Sequence, residues 1–276
     1  MTQPTNDLLR ARYGESVPPT LNAIHPAIAS MLSHRSVRAF TRDPLAPGTL
    51  EQIVAAAQSA SNSSNLQSWS VVAVEDPGRK ERLADLTGGE GRYVRDCPLF
   101  LMWIADLARL DAIGERRNLR REGLDYLELL MVSVIDTALA AQNAAVAAEA
   151  MGLGIVYVGA MRNQPELVAK ELGLPPRAFG VFGMCVGHPD PSRPTSAKPR
   201  LPQAAVLHRE RYDLEAITEP TDRYAEAMGH YYRRNNMKIN GNDWAEHSLH
   251  RVRGAEALNS RDRLKQALTA LGFPAH

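Results

Sequence analysis

The chain has 276 residues, a formal net charge of +1 and an apolar fraction of 44%. The charge balance gives no ground for a nucleic-acid surface, and two well-separated cysteines, Cys97 and Cys185, make neither a disulfide scaffold nor a zinc site. No signal-like apolar segment opens the chain and no run reaches the roughly 18 apolar residues of a membrane span, so a cytoplasmic protein without a membrane or nucleic-acid partner is expected.

Residues 1–22 are polar, end in Pro18-Pro19, and read as a loose arm. A short helix is expected over Ile24–Leu32, followed by the cluster His34-Arg35-Ser36 with Arg38. The Pro47-Gly48 pair starts an Ala-rich helix over Leu50–Ala60. A run of Ser and Asn (SNSSNLQ, Ser61–Gln67) stops it. Ser70–Glu75 reads as a strand closed by an Asp76-Pro77-Gly78 turn. Thr87–Tyr93 (TGGEGRY) is glycine-rich. Pro98–Ala105 (PLFLMWIA) reads as a strand buried on both faces.

Leu124–Met151 predicts one long helix, apolar on nearly every side at its centre and therefore buried all round, as a central helix that can also lie at a subunit interface. Gly152 ends it. A strand over Ile155–Gly159, a helix over Pro165–Leu172 and a buried strand over Phe179–Val186 follow. A proline-rich loop then runs to Pro202, with Lys198 and Arg200 on alternating positions. Beyond about Leu207 the chain is charged and helical, with Tyr224, Tyr231, Tyr232 and Trp244 spread through it.

Each candidate site has a plain structural reading beside the functional one. Arginines around a serine suit a phosphate or carboxylate, and equally a solvated turn. The Ser61–Gln67 loop is rich in short donors, which also make ordinary helix stops. Glycines at 88, 89 and 91 permit close approach of a flat ligand, or a plain turn. GLGIVYVGA, Gly152–Ala160, is no dinucleotide fingerprint, because its glycines follow a helix and precede a strand. Neither a P-loop nor a nucleophile elbow is present, and no histidine has metal-ligand spacing.

Taken in order, HRSVRAF at His34, AAAQSASNSSNLQSWS ending at Ser70, LTGGE at Leu86, VIDTALAAQNAAVAAEAMGLGIVYVGAMRNQPE from Val134, GMCVGHP and KPRLP resemble the flavin-dependent nitroreductase superfamily. Within it they resemble the oxygen-insensitive NADPH nitroreductase and flavin reductase branch. The resemblance implies an α+β fold: a small, mainly antiparallel central sheet surrounded by helices, a long buried central helix and a C-terminal helical extension. The corresponding boundaries are a flexible arm at 1–22, an FMN-binding core at 23–206 and an extension at 207–276 packing on the active site or partner subunit.

The same resemblance implies a homodimer with FMN at the interface and NADPH or NADH as hydride donor. His34, Arg35, Ser36, Lys198 and Arg200 would meet the phosphate and ribityl side. Arg38 would lie near the pyrimidine edge as an electrostatic tuner. Ser61, Ser63 and Asn65 would come from the other subunit, and Tyr157, Gly159 and Ala160 would line the ring through backbone groups. Glu90 stands where related proteins carry Gln against the flavin. The loop Asn235–Asp243 before Trp244 holds Lys238 as its one cation. The implied activity is ping-pong, two-electron hydride transfer to nitroaromatics, quinones or free flavins. The chemistry lies on the flavin, so no catalytic acid or base is named. The alternative is a flavin-binding or flavin-remodelling protein of the same fold with little turnover.

Overall fold

The computed structural model describes residues 3–14, 24–89 and 91–273. The chain divides into two compact units, one formed by residues 1–35 and 195–258, the other by 36–194 and 259–276.

The second unit is built on a four-stranded sheet: β1 (Trp69–Val74), β2 (Leu99–Asp106), β3 (Gly154–Val158) and β4 (Ala178–Gly187). Every pairing is antiparallel and the order is β1-β2-β4-β3, so β1 and β3 form the two edges. The near-continuous apolar run of β2 follows from burial on both faces. Leu99, Leu101 and Trp103 pack with Ile53 and Ala57 of the helix Thr49–Gln58 and with a row of alanines, Ala140, Ala141, Ala144, Ala145 and Ala148. Phe100, Met102 and Ile104 pack on the opposite face with Leu83, Ala84, Val94 and Met161. The side-chain period of two thus loads both faces of one strand. Two layers of helix enclose the sheet.

The alanine row belongs to the helix Leu127–Ala150, of 24 residues. Small side chains let this helix approach both the sheet and the Thr49–Gln58 helix closely. Gly152 follows it at φ +79°, a backbone region that favours glycine. Burial on every side, expected for a central helix that also meets a partner subunit, is not reached by one chain alone. Leu127, Met131, Ile135 and Leu139 recur every four residues and are 43–53% exposed. By length and composition alone, at mean hydropathy 1.5, this helix is apolar enough to cross a membrane, a test that a core helix passes equally. Its apolar runs are short, but the polar residues between them are too few to lower the average.

Two further differences have local causes. The expected turn at Asp76-Pro77-Gly78 is a helix start, because Asp76 accepts from the Arg79 N–H at 2.7 Å and Pro77 occupies the first turn of Pro77–Asp85. Where a loose N-terminal arm was expected, Gln3–Tyr13 is a helix of the first unit. Leu9 is buried in that helix. Arg12, 3% exposed, donates from Nε to Leu32 O at 2.7 Å, from Nη1 to Lys198 O at 2.8 Å, and to His34 O. Residues 15–22 of the arm lie outside the described residues. The first unit is completed by Pro26–Leu32, Thr218–Arg234 and Trp244–Arg251, the last two packing around Met228, Tyr231, Tyr232 and Trp244.

Candidate functional site

Four groups of residues carry the candidate chemistry. The first lies in the first unit. His34 and Arg35 follow the helix Pro26–Leu32, and Lys198 and Arg200 lie on the proline-stiffened strap before the extension. Arg12 ties these segments together through the backbone carbonyls of His34 and Lys198, and its own carbonyl accepts from the Arg200 N–H at 2.8 Å. Three guanidinium groups, one ammonium and one imidazole therefore lie on segments that Arg12 joins, a donor set suited to a phosphate.

The second group is the β3 edge of the sheet unit. Ser36 pairs with Ile155 in an isolated parallel bridge, and the Val37 N–H donates to Ile155 O at 2.9 Å. This approach demands glycine at 154, where a Cβ would lie 2.6 Å from Val37 Cγ2. Ser36 and exposed Arg38 thereby run beside the strand carrying Tyr157, which continues into the turn Gly159–Asn163 with Ala160. Tyr157 packs edge-on against Phe182 at 5.2 Å. Burial, with the nearby Glu149 carboxylate, pushes its phenol well above the usual range, so it is a neutral hydrogen-bonding group at any working pH.

The third group joins the second. Asn163 Nδ2 donates to Thr87 O at 3.3 Å, bringing the Thr87–Gly89 turn against the Gly159–Asn163 turn. Gly88 and Gly89 have φ +68° and +128°, which explains the glycine pair. Asn163 Oδ1 is buried with no hydrogen-bond partner among the described residues. Glu90 lies outside the described residues.

The fourth group, Ser61–Gln67, lies at the other edge, leading into β1. Ser64, Asn65 and Gln67 all have φ near +50°, a conformation costly for residues with a Cβ and retained only where the surroundings impose it. The surroundings here are Asp136. This carboxylate, 1% exposed on the long helix, accepts from the Ser63 N–H at 3.1 Å, the Ser68 N–H at 3.3 Å and the Ser68 hydroxyl at 3.0 Å. Ser133 Oγ donates to Ser68 O at 2.6 Å. Arg109 closes the far side with bonds to Gln67 O and Trp69 O, each at 3.0 Å. Ser61, Ser63 and Asn65 remain exposed.

Within one chain, the second and third groups share an edge, while the Ser61–Asn65 loop lies at the opposite one. Three interstrand steps of about 4.8 Å separate β1 from β3, about 14 Å in all. Sequence reasoning missed Arg12, Asn163 and Asp136. A signal existed for Asp136, the one charged residue between Val132 and Ala148. A carboxylate in an otherwise apolar helix must be paid for by donors. Nothing local marks Arg12 or Asn163, whose partners lie far along the chain.

Comparison with known proteins agrees with this architecture. The sequence pattern described as "Nitroreductase family" matches residues 31–188, and that described as "Nitroreductase family, C-terminal domain" matches 198–276. A Bacillus subtilis protein named "FMN reductase (NADPH)" is 35% identical over 87% of this chain and 96% of its own length. The "Oxygen-insensitive NADPH nitroreductase" of Salmonella typhimurium is 37% identical over 80% of this chain and 89% of that protein. Among solved structures, a hypothetical oxidoreductase from Bacillus subtilis superposes with a TM-score of 0.85 at 32% identity, covering 92% of this chain and 100% of that one. The NADPH:FMN oxidoreductase from Vibrio harveyi complexed with NAD+ gives 0.77 at 32% identity, covering 91% and 99%. With both sequence patterns matched in order and the sheet, long helix and C-terminal helices in place, the chain belongs to the nitroreductase family.

Proposed function

We propose that this chain is an FMN-dependent NAD(P)H oxidoreductase that reduces nitroaromatics, quinones or free flavins, working as a cytoplasmic homodimer. The observation that carries the reading is the pair of cationic segments, His34–Arg35 and Lys198–Arg200, tied together by Arg12, in a chain related to proteins named as FMN reductases. The donor set fits the group: cations and N–H donors for a phosphate, and glycine turns with a buried, unpartnered Asn163 Oδ1 where a flat polar ring needs close backbone approach.

FMN, when bound, supplies hydride acceptance from the nicotinamide and hydride delivery to the acceptor. The chain's own residues bind, orient and tune. His34, Arg35, Lys198 and Arg200 hold the phosphate, with Ser36 on the ribityl side. Tyr157, Gly159 and Ala160 line the ring, and the shared edge of these residues with the Thr87–Gly89 turn supports that role. Arg38 sets the local potential for negative charge. The resemblance implies an amide at position 90, and a carboxylate there would oppose Arg38. Donor and acceptor take turns in one slot.

Ser61, Ser63 and Asn65 reach the site from a second copy. Their place at the edge remote from β3 and the apolar stripe Leu127, Met131, Ile135 and Leu139 both favour this arrangement. An exposed stripe of this kind is a surface for another chain.

An absorbance spectrum of the purified protein, followed by anaerobic addition of NADPH and then NADH, tests the proposal. A flavin spectrum bleached rapidly by either donor is expected. Bound flavin that neither donor reduces would favour the flavin-binding alternative, and protein that cannot be loaded with FMN would reject both.

A further inference from the structure

One aromatic side chain from each strand stands on a single face of the sheet. Tyr157 is on β3, Phe182 on β4, Trp103 on β2 and Trp69 on β1, and all four pack in the layer that holds the alanines of the long helix. The strand order sets them in that sequence from the β3 edge to the β1 edge. The Tyr157 and Phe182 ring centres are 5.2 Å apart, and those of Trp103 and Trp69 are 5.8 Å apart. Between these pairs, Phe182 and Trp103 are direct partners in the β2–β4 register, which puts their Cβ atoms about 5 Å apart. The row is therefore continuous, and it holds two of the chain's three tryptophans.

Core packing alone does not call for this composition. At the centre of the row Trp103 is 0% exposed, and its indole N–H has no hydrogen-bond partner among the described residues. A buried unpaired donor is destabilising, and an aliphatic side chain would avoid it. What an indole supplies and a leucine does not is the ready loss of one electron. The unpaired N–H matters for that loss. With no acceptor beside it, the proton stays on the ring when an electron leaves, so return of the electron restores the residue. Tyr157 differs, because burial holds its phenol neutral and oxidation of a phenol requires its proton to leave. The tryptophans are thus the resting places for a missing electron, and Phe182 and Tyr157 bridge them to the β3 edge.

We propose that this row lends one electron to light-excited FMN and takes it back, so that light absorbed by the cofactor is dissipated within the sheet. The inference rests on the reading that Tyr157, Gly159 and Ala160 line the ring, which puts the cofactor at the β3 end. Light is the driving input. Trp103 gives up one electron to the isoalloxazine and becomes a radical cation, and Trp69 then refills Trp103. Return of the same electron restores every group, with no bond formed or broken and no proton lost from Trp103. The second tryptophan prolongs the separation, because a direct return from β1 must cross three interstrand steps, about 14 Å.

The test is flash excitation of the FMN-loaded protein, read as flavin emission and as the transient absorption of a tryptophan radical. Emission weaker than that of free FMN is expected, with a radical that forms as the emission decays. Trp103→Phe keeps an aromatic ring, loses most of the radical signal and brightens the emission. Trp69→Phe keeps the early quenching and shortens the radical's lifetime; Trp69 is only half-buried, so this variant reports even where Trp103→Phe fails to fold. Trp244→Phe, outside the sheet unit, changes neither readout. Signals unaltered in both the Trp103 and Trp69 variants overturn the inference, as does a radical that disappears in Trp244→Phe. Titration of Ala160→Val apoprotein with FMN separates this failure from that of the flavin reading. Weakened FMN beside silent tryptophan variants sinks the row alone, whereas unaltered FMN affinity removes the cofactor from the β3 end and sinks both.

Discussion

The Ser61–Ser68 loop and the Lys198–Arg200 strap are both polar segments held by one buried charge, yet the two anchors act in opposite ways. Asp136 gathers donors: two backbone N–H groups and a hydroxyl from a segment with three residues near φ +50°. Arg12 gathers three acceptors from two places in the chain, Leu32 and His34 in one and Lys198 in the other. The carboxylate therefore holds one loop in a costly shape, whereas the guanidinium holds separate segments in proximity. Shape is lost when a strained loop relaxes. Proximity is lost only when the ends diffuse apart, and the prolines of the strap resist that.

The comparison is broken most directly at Asp136. Asp136→Ala leaves three donors facing an apolar helix, and a loss of about 3 kcal/mol in urea unfolding is expected. Asp136→Asn, which keeps one acceptor oxygen, should lose less. Equal losses for the two variants would show that the loop does not depend on the carboxylate. Arg12→Ala should cost about 2 kcal/mol and weaken FMN about tenfold, measured by flavin fluorescence during titration of apoprotein. Flavin affinity that survives this change would separate the strap from the phosphate site.

Ile135→Glu tests where the loop acts. It places a charge in the exposed apolar stripe without touching Asp136. A shift to monomer in size-exclusion chromatography, with loss of bound flavin, is expected if Ser61, Ser63 and Asn65 serve a neighbouring subunit. A monomer that keeps its flavin would assign the whole site to one chain. Arg38→Ala should leave flavin bound and lower its reduction potential by about 30 mV, roughly 1.4 kcal/mol for two electrons. An unchanged potential would remove the tuning role.

The smallest effect concerns the Glu166–Arg263 pair, at 2.6 Å, joining the helix Pro165–Leu172 to the end of the chain. The hydrogen bond from Arg263 holds the Glu166 carboxyl below its ordinary pKa. A carboxyl depressed in the folded state adds stability above its unfolded pKa, and that stability is lost as pH falls through the folded value. Both partners are a third or more exposed, so solvent screening keeps the contribution small. Glu166→Gln should flatten the acid limb of a thermal-stability profile slightly, and an unchanged limb would show that solvent screens the pair completely.

The sequence by itself determined the strands and most of the helices. Burial of a strand on both faces forces continuous apolar runs such as PLFLMWIA, and alanine at helical spacing permits close packing. The motifs were equally legible, because glycine pairs and arginine clusters are unusual locally. Tertiary structure alone decided which motifs meet. The order β1-β2-β4-β3 puts Ser36, Tyr157 and the Thr87–Gly89 turn at one edge and Ser61–Asn65 at the other. It also decided that Gln3–Tyr13 is a helix, since Leu9 and Arg12 find their partners only in the folded unit. The long helix shows the division most clearly. Its composition predicted burial on every side, but a composition records only that a surface is apolar. Which part of that surface meets this chain's own sheet, and which part is left for another molecule, depends on how far the rest of the fold wraps around it.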